Sequence, residues 1–203
     1  MPLFLKKQSY KNYPLETLVE MAQSDDFQAL EELIKREQKN IYASLYYLDS
    51  DREDIFDVTQ EILFKMSRSL KSLKNPKAFK SWLNQILMHY YYDVIRKKNK
   101  APQMIQVEKI SSDNDTYNPF EALLIDKKRK PDENSLLKEL DTIITNAIVS
   151  LPEQLKIATI MREFQGLSYE EIATVTNTNI GTVKSRIARA RAKLQDSLKN
   201  YIK

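Results

Sequence analysis

Residues 167–194, LSYEEIATVTNTNIGTVKSRIARARAKL, decide how this chain folds. Ser168 followed by Glu171 has the spacing of a capping box, in which each side chain satisfies a backbone N–H of the other residue. Gly166, just upstream, suits the C-terminal cap of a preceding helix. The helix that Ser168 opens is short and runs out at Thr176-Asn177-Thr178-Asn179. A second helix then begins at Ile180-Gly181-Thr182-Val183. Helix, tight turn, helix is the plan of a helix-turn-helix. Ala173 is small at the place where the two helices must cross closely. Asn177 stands where the turn needs a left-handed backbone, which Asn tolerates better than most residues other than Gly.

At about 100° per residue, Val183, Ile187, Ala190 and Leu194 fall on one face of the second helix. That face is expected to pack on the helix before it. Ser185, Ala188 and Ala192 lie opposite. Lys184 and Arg191 flank them on one side, and Arg186 and Arg189 on the other. Small outward residues let a helix sink into a major groove, and flanking cations meet phosphates. Lys184 and Ser185 come early in the helix, where base contacts are usually made. A basic amphipathic helix that binds a protein partner would share the charge but has no need of the cap, the turn or the small outward residues.

Working outward, the remainder reads as helical too. The chain of 203 residues has only 2 Gly and 7 Pro, fewer than strands joined by tight turns usually need. With 42% hydrophobic residues it can build real cores. It has 0 Cys and 1 His, so disulfides and thiolate metal sites are excluded, a structural zinc site is not expected, and no cofactor is called for. No apolar run approaches the ~20 residues of a membrane span. The opening Met-Pro-Leu-Phe-Leu is too short for a signal-peptide core, and Lys6 and Lys7 follow it rather than precede it. An intracellular, cytoplasmic protein without membrane insertion is expected.

Residues 1–13 read as a loose, basic, aromatic leader. Residues 14–99 read as a first helical domain. Leu15, Leu18, Val19 and Ala22 recur at helical spacing. Ser24-Asp25-Asp26 starts a helix whose apolar positions are Phe27, Leu30, Leu33 and Ile34. Asp49-Ser50-Asp51 is expected to cap the next helix, which ends near Leu70. Lys71 to Lys77, with Asn75-Pro76 inside it, reads as a loop, and Ala78 starts another helix toward Lys98. Residues 100–134 read as a linker, from Pro102, Asn118-Pro119 and the run Lys127-Lys128-Arg129-Lys130-Pro131. Within it the short apolar piece from Phe120 to Leu124 has no assigned place. Residues 135–203 read as a second helical domain, in which Pro152 opens a helix at its first turn. The expected fold is all-α: two small helical domains joined by a flexible linker, the second holding the helix-turn-helix.

Net charge is only +4, and its distribution says more than its size. The last helix is strongly basic. So is the stretch from Lys71 to Lys100, with Lys74, Lys77, Lys80, Arg96 and Lys97 against Asp93. Between Asp49 and Glu61 the sign reverses. There Asp54, Asp57 and Glu61 form a stripe nearly opposite the apolar face of Ile55, Val58, Ile62 and Met66. Such a stripe costs an isolated helix several tenths of a kcal/mol, about 0.2–0.5 for each like-charged pair. A positive partner would offset that cost, although a stripe of this kind also serves plain solubility.

Leu151-Pro152-Glu153, then Arg162 to Ala173, then Gly181 to Arg186 and Arg189-Ala190-Arg191, resemble the C-terminal domain of extracytoplasmic-function (ECF) sigma factors, the small members of the sigma-70 family. The resemblance implies that this domain reads the −35 promoter element, through Thr182, Lys184, Ser185, Arg186, Ala188 and Arg189. One departure is Asn177, where the family usually has Gly.

The resemblance extends to the first domain. The stretch from Asp51 to Phe64 is similar to the polymerase-binding helix of the family, whose Asp-x-x-Gln-Glu pattern is carried by Asp57, Gln60 and Glu61. This implies docking of Asp54, Asp57, Gln60 and Glu61 on the clamp region of the largest subunit of RNA polymerase core. Leu63 stands where the family often has Phe, with Phe64 adjacent. Ala78 to Lys98 resembles the region that reads and melts the −10 element, which implies DNA contacts from Lys74, Asn75, Lys77, Lys80, Arg96 and Lys97. Phe79 and Trp82 are read as core residues rather than stacking platforms, and at least one of Tyr90, Tyr91 and Tyr92 is expected to face inward. The resemblance also implies promoter DNA and an anti-sigma factor as partners. Two other classes compete. A helix-turn-helix regulator would bind a palindromic operator alone, as a dimer, and has no use for the acidic helix or the melting region. A nuclease needs clustered carboxylates or metal ligands, which the sequence does not group.

Overall fold

The computed structural model describes residues 10–49, 54–100, 140, 142–199 and 201, and the regular elements among them are all helical. A 3₁₀ turn at Tyr10–Asn12 leads into α1 (Leu15–Gln23), α2 (Phe27–Leu48) and α3 (Ile55–Ser69). Two short turns, Leu70–Ser72 and Pro76–Ala78, connect to α4 (Phe79–Lys100). Residues 142–149 are helical, followed by α5 (Glu153–Thr159), α6 (Tyr169–Thr176) and α7 (Ile180–Leu198). The expected linker beyond Lys100, its basic run and its apolar piece lie outside the described residues.

Capping explains where α2 starts. Asp25 adopts φ 67, which turns the chain sharply between α1 and α2. Asp26 then accepts hydrogen bonds from the Gln28 and Ala29 N–H groups at 3.0 and 3.1 Å, a side-chain N-cap. The expectation fails at α3. Asp49 ends α2 instead of opening α3, Asp51 lies outside the described residues, and α3 begins behind Asp54 without a side-chain cap bond. Phe27 also departs from its expected place: it is 78% exposed, because as the first residue of α2 it lies beyond the end of the core, which begins at Ala29. Pro152 sits one residue earlier than expected, as the N-cap of α5.

The leader is not loose over its last residues. Arg36 on α2 donates hydrogen bonds to the carbonyls of Tyr10, Lys11 and Tyr13, each at 3.0 Å. The Tyr10 hydroxyl donates to Asp26 at 2.9 Å. One guanidinium fork thereby ties residues 10–13 to the front of the first domain.

The apolar positions read from the sequence form the core. Leu18, Val19, Ala22, Leu33, Ile55, Val58, Ile62 and Met66 are buried between α1, α2 and α3. Phe79 is fully buried, Trp82 is half-buried against the same core, and of the three tyrosines Tyr91 turns inward. In the second domain Val183, Ile187 and Ala190 are buried and Leu194 packs beside them. Most buried apolar residues of the two domains merge into one continuous cluster, in which Leu45 and Leu83 belong with Ile160, Met161 and Ile172, while Leu151, Leu155 and Ala190 form a smaller cluster of their own. In this structure α6 packs on α4, and the residues after α5 pack on α2.

Between α5 and α6 the chain widens into a π-type turn over Ile160–Phe164, where the Gln165 N–H reaches back five residues to the Ile160 carbonyl at 3.2 Å. Gly166 follows at φ 70, in the left-handed region that the expected C-cap requires. The turn projects Phe164 and Gln165 toward the first domain.

Candidate nucleic-acid interface

The second helix of the helix-turn-helix is set by two asparagines. Asn177 closes α6 at φ 49, ψ 48, the left-handed conformation anticipated from sequence. Asn179 opens α7: its side-chain oxygen accepts from the Thr182 N–H at 2.7 Å and from the Thr182 hydroxyl at 2.9 Å. A Cβ on Gly181 would lie 3.3 Å from that oxygen, a tight contact for any larger residue. The capping box of α6 is complete, with Glu171 N–H to Ser168 Oγ at 3.1 Å and Ser168 N–H to Glu171 at 2.8 Å. Both helices are thus capped at their starts, and the left-handed Asn177 between them sets the turn from α6 into α7.

The outer face of α7 presents Lys184, Ala188, Arg189, Arg191 and Ala192 to solvent, with Ser185 half-buried. Its hydroxyls are engaged within the helix. Ser185 donates to the Thr182 carbonyl at 2.9 Å, and Arg189 donates to Ser185 Oγ at 3.2 Å. Two arginines are drawn toward the rest of the domain. Arg186 is half-buried and donates to Gln154 of α5 at 2.7 Å, and Arg191 pairs with Glu163 at 2.9 Å. Lys184 lies over the Tyr169 ring at 6.0 Å, and Arg162 lies over the same ring at 4.8 Å. Tyr169 therefore orients the first cation of α7, a contact that the sequence pattern did not reveal.

The predicted −10 residues do not form one patch. Lys74, Asn75 and Lys77 stand exposed on the loop between α3 and α4. Gln23 on α1 fixes the base of that loop by donating to the Leu70 and Leu73 carbonyls at 2.9 and 2.7 Å. Asn75 accepts from the Lys77 N–H at 3.1 Å, so its carbonyl oxygen caps a turn. Lys80 instead reaches across to the second domain and donates to the Gln165 carbonyl at 3.3 Å. Arg96, far along α4, is exposed and paired with Asp93, which also lies 3.3 Å from His89. Lys97 lies on α4, beyond the described side chains.

On α3, Asp54, Asp57, Gln60 and Glu61 are exposed as a group. The structure adds two aromatic residues to that side: Phe56 is 42% exposed and Phe64 62%. Leu63 fills the core at 4% exposure, so its neighbour is turned outward, with Arg68 5.6 Å over its ring. Exposed Phe side chains thus stand beside carboxylates, an apolar centre with charged flanks, which is a composition that protein interfaces share. Among the described residues no group of acidic or histidine side chains is close enough to hold a metal ion, and no helix is long and apolar enough to cross a membrane.

Both halves match established families. The sigma-70 region 2 model matches residues 33–101, and the sigma-70 region 4 model matches residues 141–194. The ECF RNA polymerase sigma-E factor of Escherichia coli (strain K12) is 35% identical over 189 residues, covering 93% of this chain and 96% of that protein. The chain belongs to the ECF sigma factors of the sigma-70 family. The ECF sigma-E factor of Haemophilus influenzae is 34% identical over 184 residues, 90% of this chain and 94% of its own. Two solved structures share the fold. CnrH in complex with the cytosolic domain of CnrY has TM-score 0.60, 19% identity and covers 92% of this chain and 97% of that one. The sigma factor RpoE in complex with the anti-sigma factor NepR from Bartonella quintana has TM-score 0.58, 23% identity and covers 86% and 97%. A stand-alone operator-binding regulator is disfavoured, since the region 2 match takes in both the acidic α3 and α4. As an ECF sigma factor, the chain acts in RNA-polymerase-directed transcription initiation.

Proposed function

We propose that this sigma factor divides its task among three surfaces: α3 grips RNA polymerase, the loop before α4 and α4 itself engage the −10 element, and the outer face of α7 reads the −35 element. The observation that carries this reading is the pairing of a rigidly capped basic helix in one domain with an exposed acidic and aromatic helix in the other. Lys184 and Ser185 read base edges near the start of α7, while Arg186 and Arg189 hold the phosphate backbone. Binding through phosphates makes the promoter complex steeply sensitive to salt. On α3, Phe64 adds an apolar anchor to Asp57, Gln60 and Glu61 against the clamp region of the largest subunit. The site of action is the cytoplasm, where the polymerase works.

A regulatory partner is part of the proposal. The two solved neighbours were captured with CnrY and with the anti-sigma factor NepR. A comparable anti-sigma factor would cover the DNA- and polymerase-binding faces of this chain. The test is run-off transcription with purified core polymerase on a promoter library. A shared pair of upstream elements among transcribed templates is the expected result. A chain that binds duplex DNA selectively by itself, yet starts no transcript with any core enzyme, overturns the reading.

A further inference from the structure

The loop that carries Lys74 and Asn75 is held from outside itself. It runs between two short turns, Leu70–Ser72 and Pro76–Ala78, and α1 packs on both of them. The last residue of α1 is Gln23, which is half-buried. An amide nitrogen has two hydrogens to donate. Here it reaches the Leu70 carbonyl at 2.9 Å and the Leu73 carbonyl at 2.7 Å. The Leu70 carbonyl also closes the first turn, accepting from the Leu73 N–H at 3.1 Å. The Leu73 carbonyl belongs to the peptide group that joins Leu73 to Lys74, where the backbone leaves the turn at φ −72, ψ 109. One side-chain amide thus fixes the peptide plane directly before Lys74.

The corner after α1 holds Gln23 in place. Asp25 takes the left-handed conformation, its N–H donates to the Ala22 carbonyl at 3.3 Å, and the Asp26 N–H donates to the Met21 carbonyl at 3.1 Å. This is a Schellman motif, with aspartate at the position that glycine usually fills. The Asp25 carboxylate lies 2.6 Å from the Lys71 ammonium, so the corner tethers the first turn a second time. Both partners of that pair are exposed, and such a pair adds little to stability. Its value is geometric. Between the two turns Leu73, Lys74 and Asn75 have no regular structure, and Lys74 and Asn75 are exposed. Their placement therefore comes from the turns on either side and from whatever holds those turns.

We propose that Gln23 is a positioning residue for the −10 element: by holding the Leu70 and Leu73 carbonyls, it sets the register in which Lys74 and Asn75 meet the DNA. The role rests on the assignment of this loop to the −10 element made above; the brace itself does not. A base drawn out of its stack is selected by a site whose shape is set before the base arrives. Gln23 touches no base. It acts through the loop, so its loss relaxes base preference at −10 and leaves the −35 preference of α7 as it was.

Two variants test this in the full chain. Gln23→Glu keeps the size of the side chain but turns acceptors toward two carbonyls, and Gln23→Leu removes the polar group. If one of them misfolds, the other decides. The chain contains 0 Cys, so a nitroxide on Lys74→Cys reports on the loop without background. The label is expected to become more mobile in both variants while helicity, read by circular dichroism, stays the same. For transcription, the unlabelled variants are combined with core polymerase on a promoter library randomised separately at −10 and at −35. Discrimination among −10 bases is expected to fall about two- to tenfold, the range that one net hydrogen bond spans, with −35 discrimination unchanged. A label no more mobile in either variant overturns the brace. A more mobile label with −10 discrimination intact overturns the positioning role, and so does an equal loss at both elements, which marks a merely destabilised chain. No transcript from any form, the unmutated chain included, sinks the promoter reading and the −10 role with it, while the label still shows whether Gln23 orders the loop.

Discussion

At the scale of single residues, two polar side chains carry consequences that can be measured. Glu37 on α2 is 4% exposed, and burial pushes its carboxyl above the usual range, while an Asn40 hydrogen bond and the charges of Lys80 and Arg36 pull it partly back. The folded chain therefore holds this proton more tightly than the unfolded chain does. The stabilisation is fully present below the ordinary glutamate pKa and is lost as pH rises through the elevated folded value. Glu37→Gln is expected to raise the melting temperature at neutral pH by a few degrees, at about 2–4 °C per kcal/mol for a chain of this size, and to flatten its dependence on mildly acidic pH. Thermal unfolding followed by circular dichroism at several pH values checks both; an unchanged pH profile removes Glu37 as its source. Asn177 is the second case. Its φ of 49 is strained for a residue with a Cβ and no local polar group. Asn177→Ala is expected to cost about 1–2 kcal/mol, whereas Asn177→Gly, the residue usual in the family, should be near neutral. Urea midpoints at constant slope measure the difference. Asn177 is legible from sequence because backbone strain is a local property. Glu37 is not, because its burial depends on how other elements pack against α2, which brings Lys80 of α4 near it.

At the scale of elements, α3 and α7 are alike in one respect: each is legible as a helix with a buried and a displayed face, and on each the sequence leaves the displayed face incomplete. On α7 the wheel places Val183, Ile187 and Ala190 inside, where they are. It does not foresee that Tyr169 on α6 lies under Lys184, or that Arg186 is held by Gln154 of α5. Those contacts come from the packing of separate helices, which a periodicity within one helix does not encode. Lys184→Ala and Ser185→Ala are expected to change which −35 sequences are preferred, at about 1–3 kcal/mol for each base edge left without its partner, whereas Arg189→Ala should weaken all of them together and lower the salt slope by roughly one. Selection from a randomised −35 library, repeated at several salt concentrations, separates the outcomes; equal selectivity in all of these variants would count against the assigned face. On α3 the apolar period identifies Ile55, Val58, Ile62 and Met66 correctly, but it does not say which of the neighbours Leu63 and Phe64 turns inward. Because Phe64 is exposed, Phe64→Ser should leave the unfolding midpoint nearly unchanged and still reduce co-purification with core polymerase, as should Asp57→Lys with Glu61→Lys. Undiminished polymerase binding in both variants would remove α3 as the docking helix.

At the scale of the whole molecule, the sequence presents two domains and a linker, and the structure adds a shared core. Both descriptions follow from the same chain. The linker signals are local in composition, whereas the interdomain contact is built from residues that look ordinary singly: a serine on α2, an asparagine on α4 and a glutamine after a π-type turn. No sequence period marks polar residues that become buried only when two domains meet. The continuous apolar cluster has a thermodynamic consequence. If Leu45 and Leu83 share one core with Met161 and Ile172, loss of either domain exposes apolar surface of the other, and the two should unfold as one cooperative unit. Calorimetry of the unmutated chain is then expected to show a single transition whose calorimetric and van't Hoff enthalpies agree. Tyr47→Ala removes the ring against which Phe164 packs at 4.4 Å, together with half-buried and buried surface on both sides of that ring pair. Truncation of a large buried aromatic costs about 3–5 kcal/mol in a closed core, and here that loss falls on the coupling between domains as well as on α2. The variant should unfold in two resolved steps, the second domain retaining the α5–α7 packing around Leu151, Leu155 and Ala190. A single transition displaced to lower temperature would mean that the domains are coupled through more of the interface than this ring pair. Two transitions in the unmutated chain would mean that the shared core does not couple them in solution.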